Sequence, residues 1–147
     1  MNAEELWNAF VTAYPEAADA AYEAWSYGSD AADELAQLTA AGIKTATASA
    51  YPMYELEGEE LSKAGEYNVI LLTDGTALCI TKTTKVALVR YRDVSADHAF
   101  REGEGDRSLS YWRKVHEAFF TEELASAGLT FAEDMTVVCE EFEVVFK

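Results

Sequence analysis

The chain has 147 residues, half of them hydrophobic, with three Trp, eight Tyr and seven Phe; that is ample material for one self-sufficient core and excludes a disordered segment. A net charge of −16 argues against a broad electrostatic grip on duplex DNA or RNA, which draws its affinity from neutralised phosphates. The only cysteines, Cys79 and Cys139, lie in separate apolar runs, and His98 and His116 are the only histidines, so a structural zinc lacks a ligand set. No metal or other cofactor is expected.

The predicted elements begin with a helix. Leu6, Phe10, Val11 and Tyr14 recur at helical spacing until Pro15, which suits the first turn of a second helix running through Ala24 and Trp25. Tyr27-Gly28-Ser29-Asp30 is a turn whose Ser or Asp can cap a third helix, Ala31 to Ala41, and Gly42 terminates that helix in a left-handed conformation. Lys44 therefore follows a helix end directly.

Strand patterns take over from there. Thr45-Ala46-Thr47-Ala48-Ser49 alternates small and β-branched residues, and Tyr67 to Thr73 is an apolar run ending in the hairpin turn Asp74-Gly75, with Thr76 to Val89 returning. Ser95 caps a short helix through Arg101. After the Gly103-Glu104-Gly105-Asp106 bend, Ser108 caps a longer helix with Leu109, Trp112, Val115 and Phe119 on one face, and Gly128 stops it. Thr136 to Phe146 closes the chain as a strand. Helices first, then strands with helices inserted, predict an α+β domain whose mostly antiparallel sheet curls into a small β-barrel. No stretch reaches the ~18 uncharged apolar residues of a membrane span. The Met1-Asn2-Ala3-Glu4-Glu5 start has no signal-peptide character, so a cytoplasmic location with no membrane partner is expected.

Charge is unevenly distributed. No Lys or Arg precedes Lys44, whereas Lys82, Lys85, Arg90, Arg92, Arg101, Arg107, Arg113 and Lys114 share one window with only five acids. These basic residues read first as solvated faces, with Arg107 and Arg113 the candidates for phosphate. The acidic Gly103-Glu104-Gly105-Asp106 bend would repel a phosphate and is better suited to presenting a carboxylate.

Gly42-x-Lys44-x-x-Thr47 puts a cation and a hydroxyl at the start of a strand. Period-two geometry sends residues 44 and 47 to opposite faces, so both reach one pocket only if the chain is still irregular beyond Gly42. Taken alone, a Lys after a helix commonly neutralises the negative helix end and a Thr is a good strand former.

Several separated motifs extend this signal. Trp25-Ser26-Tyr27-Gly28, Asp33-Glu34-Leu35-Ala36, Gly42-Ile43-Lys44-Thr45-Ala46-Thr47-Ala48-Ser49, His98-Ala99-x-x-Glu102-Gly103-Glu104-Gly105-Asp106-Arg107-Ser108-Leu109-x-x-Trp112-Arg113 and Cys139-Glu140-Glu141-Phe142 together resemble the ASCH family, a branch of the PUA-like barrel folds. The resemblance runs from about Trp25 to the C-terminus. It implies a domain at residues 25–147, carrying an N-terminal helical extension at 1–24, in a fold associated with RNA binding. Some small members look like amidohydrolases that remove an acetyl group from the exocyclic amine of cytidine with a Lys, a Thr and a Glu. Those roles fall on Lys44, Thr47 and Glu102, with Glu104 a competing position for the carboxylate.

Physical chemistry orders the roles. A hydroxyl needs a proton acceptor before it can attack at neutral pH. Lys44 accepts a proton only when its pKa is depressed, which a nearby Glu102 opposes, so the preferred assignment makes Glu102 the acceptor or water orienter and Lys44 the oxyanion or phosphate partner. The expected partner is a modified nucleoside or short single-stranded RNA, not duplex DNA. Gly42, Tyr51, Glu104, Arg107 and Arg113 complete the candidate ligand site. Tyr51, Tyr54 and Tyr111 offer stacking surfaces, while Trp112 reads as core. Two readings without catalysis stay open: a single-stranded RNA-binding regulator using the basic window, and a protein-interaction module using the acidic N-terminal helices.

Overall fold

The computed structural model describes residues 1–28 and 31–147. Helix α1 (Ala3–Ala13) starts at a capping box in which Asn2 and Glu5 satisfy each other's backbone N–H groups, and it buries Leu6, Trp7 and Phe10. Pro15 ends it, and Pro15–Ala17 forms only one tight turn. The second helix anticipated from Pro15 to Trp25 is absent: strand β1 (Tyr22–Trp25) occupies its end and pairs in parallel with β3 (Tyr67–Leu71). Packing overrides the helical preference of this Ala-rich stretch. Trp7 stacks on Tyr22 with ring centroids 4.6 Å apart, and the Trp25 indole N–H donates to Asn68 Oδ1 at 2.8 Å. Strand β1 thus spans the boundary expected at residue 24.

Helix α2 (Ala32–Ala40) follows; the cap expected from Ser29 or Asp30 lies outside the described residues. Strand β2 (Ala46–Ala50) runs into a short helix, α3 (Tyr51–Glu57), that the sequence reading did not anticipate despite Pro52 in its first turn and a left-handed Gly58 after it. Strand β4 (Ala77–Arg90) returns from the Asp74-Gly75 turn, and α4 (Ala96–Glu102) and α5 (Leu109–Ser126) begin at the expected caps Ser95 and Ser108. The final strand β5 (Thr136–Phe146) matches the predicted span.

The five strands form one sheet in the order β1-β3-β4-β5-β2, antiparallel except for β1 with β3. The expected closure into a barrel is not reached: among the described residues β1 and β2 remain the two edges of an open sheet. Register shifts in β4 near Thr81 and between Thr83 and Lys85 are the irregularities that re-aim a long strand.

Alternation sorts the cores. Val69 and Ile80 point to α1, whereas Ile70 and Cys79 point to Ala36 of α2 on the other side. The third cluster joins α5, through Trp112, Phe120 and Leu124, to Val137 and Cys139 of β5. Both cysteines are free thiols, and burial pushes Cys79 up to about 11 and Cys139 up to about 12. No helix among the described residues is long and apolar enough to cross a membrane.

Candidate functional site

The segment after α2 stays irregular, as the Gly42-x-Lys44-x-x-Thr47 spacing required. Gly42, at φ 77°, donates to Thr39 O, while the N–H groups of Ile43 and Lys44 both donate to Leu38 O at 3.0 and 3.1 Å. Ile43 is left exposed and Lys44 is carried inward, where it is 2% exposed. The Thr45 N–H then donates to Arg101 O at 2.7 Å, fastening the segment to α4 before β2 starts at Ala46. Gly103 permits this contact. At φ +73°, a Cβ there would lie 2.7 Å from Ile43 O and 3.1 Å from Lys44 Cα.

Beneath that junction lies Glu102, 1% exposed, and its two oxygens are fully engaged. Oε2 accepts from the Trp112 indole N–H and from His98 Nε2 at 2.7 Å, one helical turn back on α4. Oε1 lies 3.4 Å from both Lys44 Nζ and His116 Nε2. Burial alone would raise this carboxyl, but hydrogen bonds from His116 and His98, with the Lys44 charge, hold it well below the usual range. It is an anion at neutral pH.

Lys44 Nζ donates to Ala46 O at 2.9 Å and Glu104 Oε2 at 3.0 Å, with Glu102 O and Oε1 both at 3.4 Å. An ammonium has three donors and no acceptor, and four acceptors surround this one. Lys44 Nζ is therefore held in place by more acceptors than it has hydrogens to give. Tyr27 covers it, with the ring centroid 5.7 Å from Nζ; the Tyr27 hydroxyl donates to Thr39, whose own hydroxyl donates to Leu35 O. Burial raises the Tyr27 phenol, which stays protonated.

Lys44, Thr47, Glu102 and Glu104 line one pocket of about 460 Å³, within the range of small-ligand sites. Its walls include Tyr27 and Leu35 on one side and Tyr111, His116 and Phe119 of α5 on the other. The two carboxylates competing for one role are thus both present but differ: Glu102 is sealed, while the Glu104 side chain is 22% exposed and, among the described residues, bound only to Lys44. Thr47 makes no side-chain hydrogen bond among the described residues.

The other candidates lie elsewhere. Gly42 shapes the turn without lining the pocket, and Tyr51 begins α3. Arg107, itself left-handed at φ 65°, lies over the Phe100 ring at 3.7 Å and donates to Phe100 O and Ile43 O. Arg113 donates to Arg92 O. Much of the basic window is similarly engaged: Lys85 pairs with Glu141, Arg101 with Asp97 and Glu141, and Lys82 lies over Tyr67. Trp112 is core, at 2% exposure, and also a hydrogen-bond partner of the site carboxylate.

Sequence reasoning missed Tyr27, Leu35, His116 and Phe119 as pocket residues. The i,i+4 spacing of His98 and Glu102, and of Trp112 and His116, was the available signal.

The ASCH domain family model matches residues 23–146. The crystal structure of an ASCH domain from Lactobacillus crispatus JV V101 is similar at a TM-score of 0.93 and 32% identity, over 98% of this chain and 94% of that one. Protein EF3133 from Enterococcus faecalis V583, of family model DUF984, is similar at a TM-score of 0.87 and 38% identity, over 97% and 87% of the two chains. Hypothetical protein PH0355, at 17% identity and a TM-score of 0.55 over 84% of this chain and 98% of that one, shares the fold alone. The fold is PUA-like. No functionally curated protein matches the sequence.

Proposed function

The chain belongs to the ASCH domain family, and from that premise we propose that its pocket takes the base of a modified nucleoside or short single-stranded RNA and hydrolyses an acyl group from the base amine. ASCH domains have a PUA-like fold often linked to RNA binding. The observation that carries the reading is the convergence of a buried ammonium, a hydroxyl and two carboxylates in one aromatic-walled pocket.

The four groups divide the work. Lys44, immobilised by its carboxylates and carbonyls, presents a fixed cation to the oxyanion that forms when an acyl carbon is attacked; loss of one such donor typically costs about 10²–10³ in rate. Glu102 anchors Lys44 and, with every acceptor position used, is poorly placed to take a further proton. We assign proton acceptance to Glu104, whose half-open carboxylate can orient and deprotonate a water alongside the Thr47 hydroxyl. A pocket with two carboxylates beside one lysine disfavours phosphate and suits an uncharged base flanked by Tyr27 and Tyr111.

The test is incubation of the purified chain with cytidine acetylated on its exocyclic amine, free and within a short RNA, with acetate release measured by chromatography. Turnover that disappears in Glu104→Gln supports the reading. Absence of turnover by the wild-type chain across a panel of acylated nucleosides and RNAs removes the hydrolytic reading. Salt-sensitive RNA binding without turnover would favour a non-catalytic single-stranded RNA-binding module, against which the engaged state of Lys85, Arg101, Arg107 and Arg113 argues.

A further inference from the structure

The Lys44 ammonium is hidden from water, at 2% exposure, and has no hydrogen to spare. Ala46 O at 2.9 Å and Glu104 Oε2 at 3.0 Å take two, and the third is shared between the backbone and side-chain oxygens of Glu102, both at 3.4 Å. A ligand oxygen therefore reaches Nζ only where one of these acceptors withdraws.

Three of the four are fixed. Ala46 opens β2 and is in register with Glu141 of β5, and Glu102 O ends α4. The Glu102 carboxylate is sealed and held through Oε2 by His98 and Trp112. Glu104 differs: its side chain is 22% exposed and, among the described residues, bonds to nothing but Lys44.

The backbone that carries Glu104 is pinned, which leaves its side chain as the part that moves. Gly103 lies against the Ile43 carbonyl, a Cβ on Gly105 would run into the Tyr111 ring, and the Arg107 N–H donates to Glu104 O at 3.0 Å. Rotation about the side-chain bonds takes the carboxylate off Lys44 while keeping it in the pocket that both residues line.

Resting on the hydrolytic reading above, we propose that the position held by Glu104 Oε2 is the oxygen subsite of the pocket: an acyl or carboxylate oxygen of the ligand binds Lys44 there by displacing Glu104. A neutral acyl oxygen competes poorly for the seat, because a carboxylate attracts the ammonium more strongly than an uncharged carbonyl does. Attack reverses the balance. A water oxygen bonds to the acyl carbon, one water proton passes to Glu104, and an electron pair of the C=O bond goes to the acyl oxygen. Glu104 is then neutral and the acyl oxygen anionic, so Lys44 changes partner. On collapse the C–N bond breaks, its electron pair stays on the nitrogen, and Glu104 returns the proton there; a carboxylic acid and the free amine result. The exchange makes Lys44 favour the transition state over the substrate.

The test needs no turnover. Acetate is titrated into the full-length chain against chloride at equal ionic strength, with binding read from backbone chemical shifts around Lys44. Removing the competing carboxylate in Glu104→Ala should tighten acetate binding about two- to fivefold, the range set by a partly exposed ion pair, and Glu104→Gln should fall between Glu104→Ala and wild type. A residue that merely gripped the ligand would shift affinity the other way. In a crystal structure with acetate, one acetate oxygen should lie about 3 Å from Lys44 Nζ with Glu104 turned away. Acetate in the pocket with the Lys44–Glu104 bond intact overturns the proposal, as does an affinity of Glu104→Ala no higher than that of wild type, binding by neither included. Turnover of acetylated cytidine without this exchange keeps the hydrolytic reading and removes the subsite; exchange without turnover does the reverse.

Discussion

Two regions of this molecule are equally hidden from water for opposite reasons. Around α1, Leu6, Trp7 and Phe10 close over Val69 and Ile80, an apolar cluster stabilised by about 25 cal/mol for each Å² it removes from water. Under α5, Lys44 and Glu102 are at least as deeply buried as Phe10, at 2% and 1% exposure against 4%, yet withdrawing an ion from water costs several kcal/mol. The polar centre persists because its hydrogen bonds are complete: no buried side-chain N or O atom among the described residues lacks a partner. Burial at the first site makes the fold stable. At the second it makes a charge immobile.

The contrast is most directly broken by truncation on each side. Phe10→Ala and Lys44→Ala should each lose about 3–5 kcal/mol in urea denaturation, the first by opening a cavity and the second by stranding two carboxylates. Only Lys44→Ala should abolish acyl hydrolysis by the folded fraction. If Phe10→Ala abolishes it too, the two regions are not separable. Next comes Gly103→Ala, expected to cost about 1–3 kcal/mol for a side chain in a left-handed conformation. Its Cβ would also press on the Ile43 carbonyl, displacing Lys44, so turnover should fall further than stability alone accounts for; unchanged kcat would show that the junction is slack.

Acidification sharpens the same comparison. Glu102 has a folded-state pKa below its ordinary value of 4.5, so its contribution is present above that value and lost as pH falls through the folded one. The thermal stability of wild type should therefore fall below pH 4.5 by more than that of Glu102→Gln, and parallel curves would contradict the assignment. The smallest effect is expected from Glu104→Gln. Its partly exposed pair with Lys44 should be worth about 0.5–1 kcal/mol at most in denaturation, while turnover should drop by orders of magnitude.

Local chemistry made much of this legible in the sequence. Ser95 and Ser108 announce two helices, Asp74-Gly75 a hairpin, and the Val- and Phe-rich run from Thr136 a long strand, because caps, turns and strand propensity are decided by neighbours in the chain. Residues 15–25 were misread for the complementary reason. Their Ala-rich composition favours a helix, and only Trp7, Tyr67 and Asn68, distant in sequence, supply the packing and pairing that make Tyr22–Trp25 a strand. Within the site, Lys44 and Thr47 could be singled out only through the resemblance carried by several separated motifs, since their spacing alone reads as a helix-end cation and a strand former. Whether Glu102 or Glu104 faces the ligand could not, since the difference lies in who surrounds each carboxylate. His116 escaped notice because only the packing of α5 against α4 brings it into the pocket wall, 3.4 Å from the Glu102 carboxylate.

The two buried thiols offer a practical consequence. Cys79 faces the α2 side of the sheet and Cys139 the α5 side, each too protonated to react while covered. A thiol reagent can therefore reach Cys79, wholly buried, only when the α2 layer lifts, whereas Cys139, 9% exposed, lines a shallow cleft beside His98; the difference in their modification rates times the opening of the α2 layer.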